Sequence, residues 1–486
     1  MKEIVVIGSG FGSLSAACFL AKKGHKVSVF EKNESLGGRC SQYKADGFTF
    51  DMGPSWYWMP EVFENFFNAF GKKTEDFYEL IRLDPSYRVV FGKDDYVDLP
   101  SDYTALKALF DNIEPGSSKK LDEFLAEAEY KYKVGMTEFV WKPGDSIMEF
   151  ADWRVVKSMF KLGMLQSISS EIKKKFKNPK LIKILEFPVL FLGATPEKTP
   201  ALYSLMNYAD LKLGTWYPMG GMYEIIKAMV NVAEAYGVKF YTNSPVKKIN
   251  VSTRLASSII LLNGEIVKCD TVIAGADYHH VEQNLLQQDA RMYDEAYWSK
   301  RVMAPSSLLF YIGIDRKVDG LKHHTLFFDR DFKLHAQEIY EDPKWPSDPL
   351  FYMCSPSVTD KSVAPEGFEN IFLLMPLAPG LEDAPKLHEK YFNLMCERIE
   401  EFYGVDIRKH IIHKKSFCLN EFKSRYNAFK GNAYGLANTL MQTAFLKPKI
   451  KSTKVNNLYY TGQLTSPGPG MPPSIISGQV VANMID

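Results

Sequence analysis

The chain has 486 residues, 46% of them hydrophobic and 14% aromatic, with a formal net charge of +1. That length exceeds one ordinary core and predicts two intimately connected domains, while the near-neutral balance supplies no overall field for nucleic acid. Six cysteines stand singly without C-x-x-C spacing, which gives no zinc or disulfide framework and suits a reducing compartment.

Met1-Lys2-Glu3 leads straight into an apolar strand at 4–7, so no secretory leader is expected and the protein reads as cytoplasmic. No stretch approaches the roughly 20 apolar residues that cross a bilayer. The strand runs into Gly8-Ser9-Gly10-Phe11-Gly12-Ser13, and residues 14–20 continue as a helix. Gly8 permits the tight turn, and Gly10 lets a pyrophosphate approach the backbone. Free N–H groups of the new helix point at that anion. Gly12 completes the run, and Ser13 stands where the pattern has a third spaced glycine for close helix–strand packing. A second buried strand over 26–30 ends at Glu31, at the spacing where an acid takes ribose hydroxyls, with Lys32 next to it. Leu36-Gly37-Gly38-Arg39 follows: the glycine pair lets the backbone turn beneath a cofactor, and Arg39 is a fixed cation for pyrophosphate oxygens. A dinucleotide is expected.

The run from Gly8 through Arg39 to Asp51-Met52-Gly53 resembles the extended signature of the flavin-containing amine oxidase superfamily, which includes the bacterial-type phytoene and carotenoid desaturases. The resemblance implies FAD rather than NAD. It also implies an α/β fold: a Rossmann-like FAD-binding domain of the glutathione-reductase-like, amine oxidase type, interleaved with a mixed-sheet and helical substrate domain. By the same carry-over Glu31 holds the adenosine ribose, Arg39 the pyrophosphate, and Gly53-Pro54-Ser55 passes near the flavin.

Next come Trp56, Tyr57 and Trp58. Three consecutive large aromatics cannot all face one core from a regular element, so they are substrate-wall candidates, with core as the other reading. Phe63, Phe66, Phe67 and Phe70 recur at helical spacing and read as a core face. Residues 76–213 have a helical, basic texture. In them a stripe of Trp153, Val156, Phe160 and Met164 is bordered by Lys157 and Lys161, and residues 171–183 carry many lysines. Such a pattern suits a helix at an anionic membrane surface, and equally a solvated surface helix. A further glycine turn, Pro218-Met219-Gly220-Gly221, leads a helix and resembles the superfamily's return to its cofactor domain, where Val246 corresponds to the residue meeting adenine through its backbone. Asn263-Gly264 reads as a hairpin turn. Residues 271–277 form a buried strand.

Residues 291–429 are expected to form a substrate domain with its own mixed sheet, beside a discontinuous cofactor domain of 1–75, 214–290 and 430–486. The C-terminal stretch runs from a strand into Gly462, and Gly470-Met471-Pro472 leads the last helix, whose N–H groups suit flavin oxygens. With residues 425–436 it resembles the C-terminal signature of bacterial-type carotenoid desaturases.

What the family implies is FAD-dependent conversion of a CH2–CH2 unit of an acyclic or partly cyclised C40 carotenoid to CH=CH. Its substrates include phytoene and later, hydroxylated carotenoids in 3,4-desaturation. Related readings are a carotenoid isomerase, a terminal oxidase, or a flavin-free escort that binds prenyl or lipid groups. An insoluble substrate implies a peripheral membrane site; oxygen or a quinone would reoxidise the flavin. No catalytic base emerges and no metal is expected. The pairs His279-His280 and His323-His324 read as surface residues.

Overall fold

The structure is a computed structural model that describes residues 1–144, 166–439, 442–443 and 446–486. Its first layer is a five-stranded, wholly parallel sheet in the order Leu458–Tyr460, Thr271–Ala274, Glu3–Ile7, Lys26–Phe30, Lys239–Tyr241. Both faces are covered, so the strands read as continuous apolar runs; Ile4, Val5, Val6 and Ile7 are all buried. Helix Phe11–Lys22 packs against the C-terminal helix Met471–Asn483, where the hydroxyl of Ser15 donates to the carbonyl of Ile475 at 2.7 Å. A Cβ at Gly478 would collide with the carbonyl of Gly12, so the two backbones cross too closely for any side chain at that point. The ends of the chain are thereby joined beside one sheet.

A three-stranded antiparallel unit, Val246–Ser252, Leu255–Leu261 and Ile266–Lys268, stands beside this layer, its second turn carrying Asn263 and Gly264. The second large sheet has seven strands in the order Ile411–Phe417, Ser306–Ile314, Glu369–Leu377, Phe351–Cys354, His324–Phe327, Tyr87–Gly92, Asp95–Leu99. All its pairings are antiparallel except that of His324–Phe327 with Tyr87–Gly92. Helix Pro385–Tyr403 lies on it, burying Tyr391, Phe392, Met395 and Ile399 with the strand residues Phe310 and Ile312.

The helical region expected over 76–213 opens instead with strands Leu80–Arg82, Tyr87–Gly92 and Asp95–Leu99. The reason lies in the pairing: Tyr87, Val89, Val97 and Leu99 are buried on a hairpin turned at Lys93 and Asp94, but Arg88 and Val90 are buried too, because Tyr87–Gly92 lies between two neighbours in the sheet and lacks the alternation of a half-exposed strand. Helices Tyr103–Ile113 and Ser117–Val134 follow, and beyond the undescribed stretch Ile168–Lys175 and Pro179–Glu186. The stripe Trp153, Val156, Phe160 and Met164, with Lys157 and Lys161, lies outside the described residues. The neighbouring lysines are placed: Lys173 faces Glu186 and Glu197, Lys175 pairs with Glu127 at 3.1 Å, and Lys180 with Asp95 at 2.5 Å. No helix among the described residues is long and apolar enough to cross a membrane.

Candidate functional site

One cavity of about 1320 Å³ runs from the carboxyl edge of the parallel sheet to the helical region. Ligands of open α/β sheets bind at that edge, and here four strand ends converge on it: Gly8 after Glu3–Ile7, Glu31 after Lys26–Phe30, Gly275 to Asp277 after Thr271–Ala274, and Gly462 after Leu458–Tyr460. Every cofactor position named from the sequence, from Gly8 to Pro472, lines this single cavity, and so do Trp56 and Trp58. The volume exceeds the usual span of a small-ligand pocket, about 300–1,000 Å³, and leaves room for a second, apolar ligand.

The cradle is built for an anion. Helix Phe11–Lys22 starts at Gly10 with no side-chain cap, leaving its first N–H groups without intrahelical partners. A Cβ placed at Gly10 would meet nothing within 4 Å, so the backbone there faces open cavity. Gly53 meets a different demand: a Cβ there would strike the carbonyl of Arg39, so the strand leaving Asp51 passes directly over the turn Gly38–Cys40. Ser13 is accommodated by its neighbour. Its hydroxyl occupies the place a side chain at 275 would take, and that position is Gly275. The small residue needed for close packing has moved from the helix to the facing strand.

Glu31 is buried, and both oxygens are engaged: one accepts from the backbone N–H and hydroxyl of Ser9, at 3.0 and 2.6 Å, the other from the backbone and side-chain nitrogens of Asn33, each at 2.9 Å. The carboxylate is therefore pinned across the strand end. Lys32 turns toward the loop after helix Leu419–Tyr426, donating to the carbonyl of Ser424 at 2.5 Å and to Asn427 Oδ1 at 2.8 Å; burial lowers its pKa. Arg39 is the main cation of the cradle. Its guanidinium lies 5.3 Å from the centroid of the Tyr426 ring, donates to the carbonyl of Asn432 at 3.4 Å, and leaves Nε without a partner. Burial pulls its pKa down, opposed by the charge of Asp277, whose own carboxyl is pushed up by burial. A half-buried guanidinium with a spare donor, an uncapped helix start and an open glycine backbone fit the two phosphates of a dinucleotide.

The aromatic triplet splits. Trp56 and Trp58 line the cavity, whereas Tyr57 is fully buried against Phe63, ring centroids 4.3 Å apart, with its hydroxyl 3.0 Å from that of Tyr78. Tyr57 as a substrate contact is thus corrected to core: in an extended segment alternate side chains take opposite sides, and the middle one points inward. Farther along, Met136, Phe139, Val140, Leu202, Leu205 and Met206 make the cavity apolar.

The reading of His323 and His324 as surface residues is also overturned; both are buried. His324 opens strand His324–Phe327, its ring stacks on Trp56 at 4.1 Å, and its Nδ1 lies 2.7 Å from the Tyr352 hydroxyl. Desolvation drives both imidazoles well below their ordinary pKa, His323 to about 3, so both are neutral at physiological pH. Sequence reasoning also passed over Asp277, Arg425 and Tyr426 as individual site residues, although all three line the cavity. Asp277 carried a signal, being the acid just past a buried parallel strand.

A dinucleotide cradle at the edge of a parallel sheet, continued by an apolar arm, defines an oxidoreductase of the two-domain nucleotide-binding class. Residues 14–485 match the family model described as flavin containing amine oxidoreductase. The chain belongs to that family, and membership implies a flavin. It is 41% identical to a carotenoid 3,4-desaturase of Haloarcula japonica, over all of this chain and 98% of that one. It is 32% identical to a zeta-carotene-forming phytoene desaturase of Myxococcus xanthus, over all of this chain and 94% of that one. Among solved structures, an oxidoreductase from Methanosarcina mazei superposes with a TM-score of 0.64 at 18% identity, covering 99% of this chain and 100% of that one, a likeness of fold.

Proposed function

We propose that the protein is an FAD-dependent carotenoid desaturase that introduces C=C bonds into an acyclic or partly cyclised C40 carotenoid. The observation that carries this is the continuity of one cavity from the phosphate cradle at Gly10 and Arg39 to the apolar arm at Trp56, Met136 and Leu205, in a chain alike end to end with named desaturases. The cofactor domain is assigned to 1–75, 214–290 and 430–486; strands Tyr87–Gly92 and Asp95–Leu99 join the substrate sheet of 291–429.

In this reading Glu31 holds the adenosine ribose, Arg39 and the helix start at Gly10 hold the pyrophosphate, and Val246 meets the adenine. Gly53, Ser55, Gly462 and the start of helix Met471–Asn483 surround the flavin end. Bound FAD supplies a hydride acceptor for one CH2 of the substrate. The protein's own work is alignment and exclusion of water: Trp56 and Trp58 flank the chain, and apolar side chains line the remainder. No carboxylate among the described residues lines the apolar arm, which agrees with a polyene-stabilised cation that sheds its proton without a dedicated strong base.

The substrate has no aqueous route, so peripheral membrane attachment belongs to the same proposal. Its support is the half-buried set Met136, Phe139 and Val140, which lines the cavity yet reaches the surface beside the exposed Trp141. The deciding experiment is expression in cells that accumulate defined carotenoids, with pigments analysed by mass. A desaturase lowers product mass by two hydrogens per step, an isomerase leaves it unchanged, and a terminal oxidase adds oxygen. Colourless protein that takes up no added FAD defeats the proposal in favour of a lipid escort.

A further inference from the structure

Behind the cavity wall lies a cluster that the flavin chemistry does not use. His324 and Cys354 are directly opposite in the antiparallel pair of strands His324–Phe327 and Phe351–Cys354, so their side chains share one face of the sheet. His323, one residue earlier, has its ring centroid 4.5 Å from that of His324. One nitrogen of each imidazole and the Cys354 sulfur lie within 4.8 Å of one another, and all three residues are buried.

The hydrogen bonds around this trio leave one ring nitrogen of each histidine unused. His323 Nδ1 lies 2.8 Å from Thr359 Oγ1, and His324 Nδ1 2.7 Å from the hydroxyl of Tyr352, which donates onward to Ser55 Oγ at 3.0 Å. Because the Tyr352 hydroxyl donates to Ser55, His324 Nδ1 is the donor and its Nε2 carries the lone pair; the Thr359 hydroxyl can serve either tautomer of His323. Neither Nε2 has a partner. Metal-bound histidines show this pattern, one ring nitrogen on the ion and the other tied to a protein oxygen. A separate void of about 20 Å³ touches His323, Cys354 and Asn370, enough for one ion or one water, and Asn370 Oδ1 likewise lacks a partner.

A second grouping provides the contrast. Asp383, His388 and Cys418 also approach within 4.8 Å, but His388 already uses both nitrogens, at 2.6 Å to Asp383 Oδ1 and 3.0 Å to Ser416 Oγ. That cluster is closed.

We propose that His323, His324 and Cys354 form a binding site for a divalent transition-metal ion of the zinc class, with a fourth position open to water or Asn370. Two imidazoles and a thiolate select a borderline-soft cation over magnesium or calcium. Tetrahedral coordination spaces such atoms by about 3.5 Å, inside the 4.8 Å bound within which the three ligand atoms lie. Binding releases the thiol proton to solvent and involves no redox step. Because His324 stacks on Trp56, the ion braces the cavity wall and is a positioning element.

The test is titration of tag-free full-length protein with Co2+ as a spectroscopic stand-in, read as difference spectra, together with metal analysis after desalting. One equivalent per chain with a thiolate-to-cobalt charge-transfer band is expected. Cys354→Ala should abolish the band and weaken binding at least about 10-fold, as should His323→Gln, while Cys418→Ala keeps both. Circular dichroism identifies any variant that fails to fold, and the wild-type titration decides on its own. Absence of the band with sub-stoichiometric metal means the cluster holds ordered water only; a band that survives in folded Cys354→Ala places the ion elsewhere. Either result overturns the proposal.

Discussion

Gly10→Ala should separate cofactor binding from folding. Gly10 sits at φ −70°, ψ 175°, extended backbone that alanine adopts freely, and a Cβ there touches nothing within 4 Å. In the apoprotein two small effects oppose each other: alanine is a poorer helix N-cap than glycine by about 0.5–1 kcal/mol, and it stiffens the unfolded chain by about 0.4–1 kcal/mol. Apoprotein melting should therefore barely move. With cofactor present the methyl group projects into the space proposed for the pyrophosphate, and overpacking of about 1–3 kcal/mol weakens FAD by roughly 5- to 150-fold. Gly12→Ala is the control, because its Cβ would lie 2.5 Å from Thr461 Oγ1, 3.1 Å from the Gly462 nitrogen and 3.3 Å from the Ser474 carbonyl. It should lower apoprotein melting and flavin content together. The measurements are flavin per polypeptide by absorbance, FAD affinity by fluorescence titration of apoprotein, and apoprotein melting. Wild-type FAD affinity in Gly10→Ala would refute the placement of the pyrophosphate at this turn.

Arg39→Lys replaces a half-buried planar fork by a point charge and should weaken FAD about 10-fold or more, read by equilibrium dialysis; unchanged affinity would mean the spare Nε serves no ligand. Tyr57→Phe removes only the bond to Tyr78 and should cost about 1 kcal/mol of stability in denaturant without altering product, whereas Trp56→Ala should cut turnover more than stability; the reverse ranking would restore Tyr57 to the wall. Burial pushes the Asp210 carboxyl from 3.8 up to about 7, although the Tyr87 hydroxyl donates to it at 2.7 Å. Over that window the folded protein keeps a proton on Asp210 that the unfolded chain has released, so this carboxyl's contribution to stability falls as pH rises from about 4 to about 7 and levels above, while the buried His323 and His324, held neutral, contribute with the opposite sign. Asp51, also raised to about 7 by burial, acts the same way; Asp210→Asn should remove the Asp210 contribution alone, so the denaturation midpoint of the variant relative to wild type should climb between about pH 4 and pH 7, and a difference that stays flat would refute the raised carboxyl.

The strand-turn-helix at Ile4 to Leu20, the acid at Glu31 and the parallel strand at Thr271 could be read from the chain because each obeys a local rule: a buried apolar run, a glycine turn, a fixed spacing. What could not be read depends on partners far away in sequence. Strand Tyr87–Gly92 is held by His324–Phe327, more than two hundred residues on, and Tyr87 to Val90 are all buried, so no alternation marks it in the sequence. His323 and His324 look like exposed polar residues until Tyr217 closes over the first and Trp56 and Tyr352 over the second. Tyr57 carries the same letters of evidence as Trp56; only the side of the backbone it takes separates core from cavity.

Ser13 shows how the two kinds of information meet. Read along the chain, it breaks a glycine pattern; in space the break is cancelled by Gly275, which leaves room for the serine hydroxyl. What the fold conserves is therefore the closeness of helix and strand rather than the identity of either residue. Gly12 and Gly478 make the same point at the crossing of the first and last helices. The cradle that begins at residue 8 is complete only when the final helix docks, so the anion site is a property of contacts with very large sequence separation. Such contacts form late, because loop closure is costly before they repay it, and an anion that binds across them stabilises the joined ends by mass action.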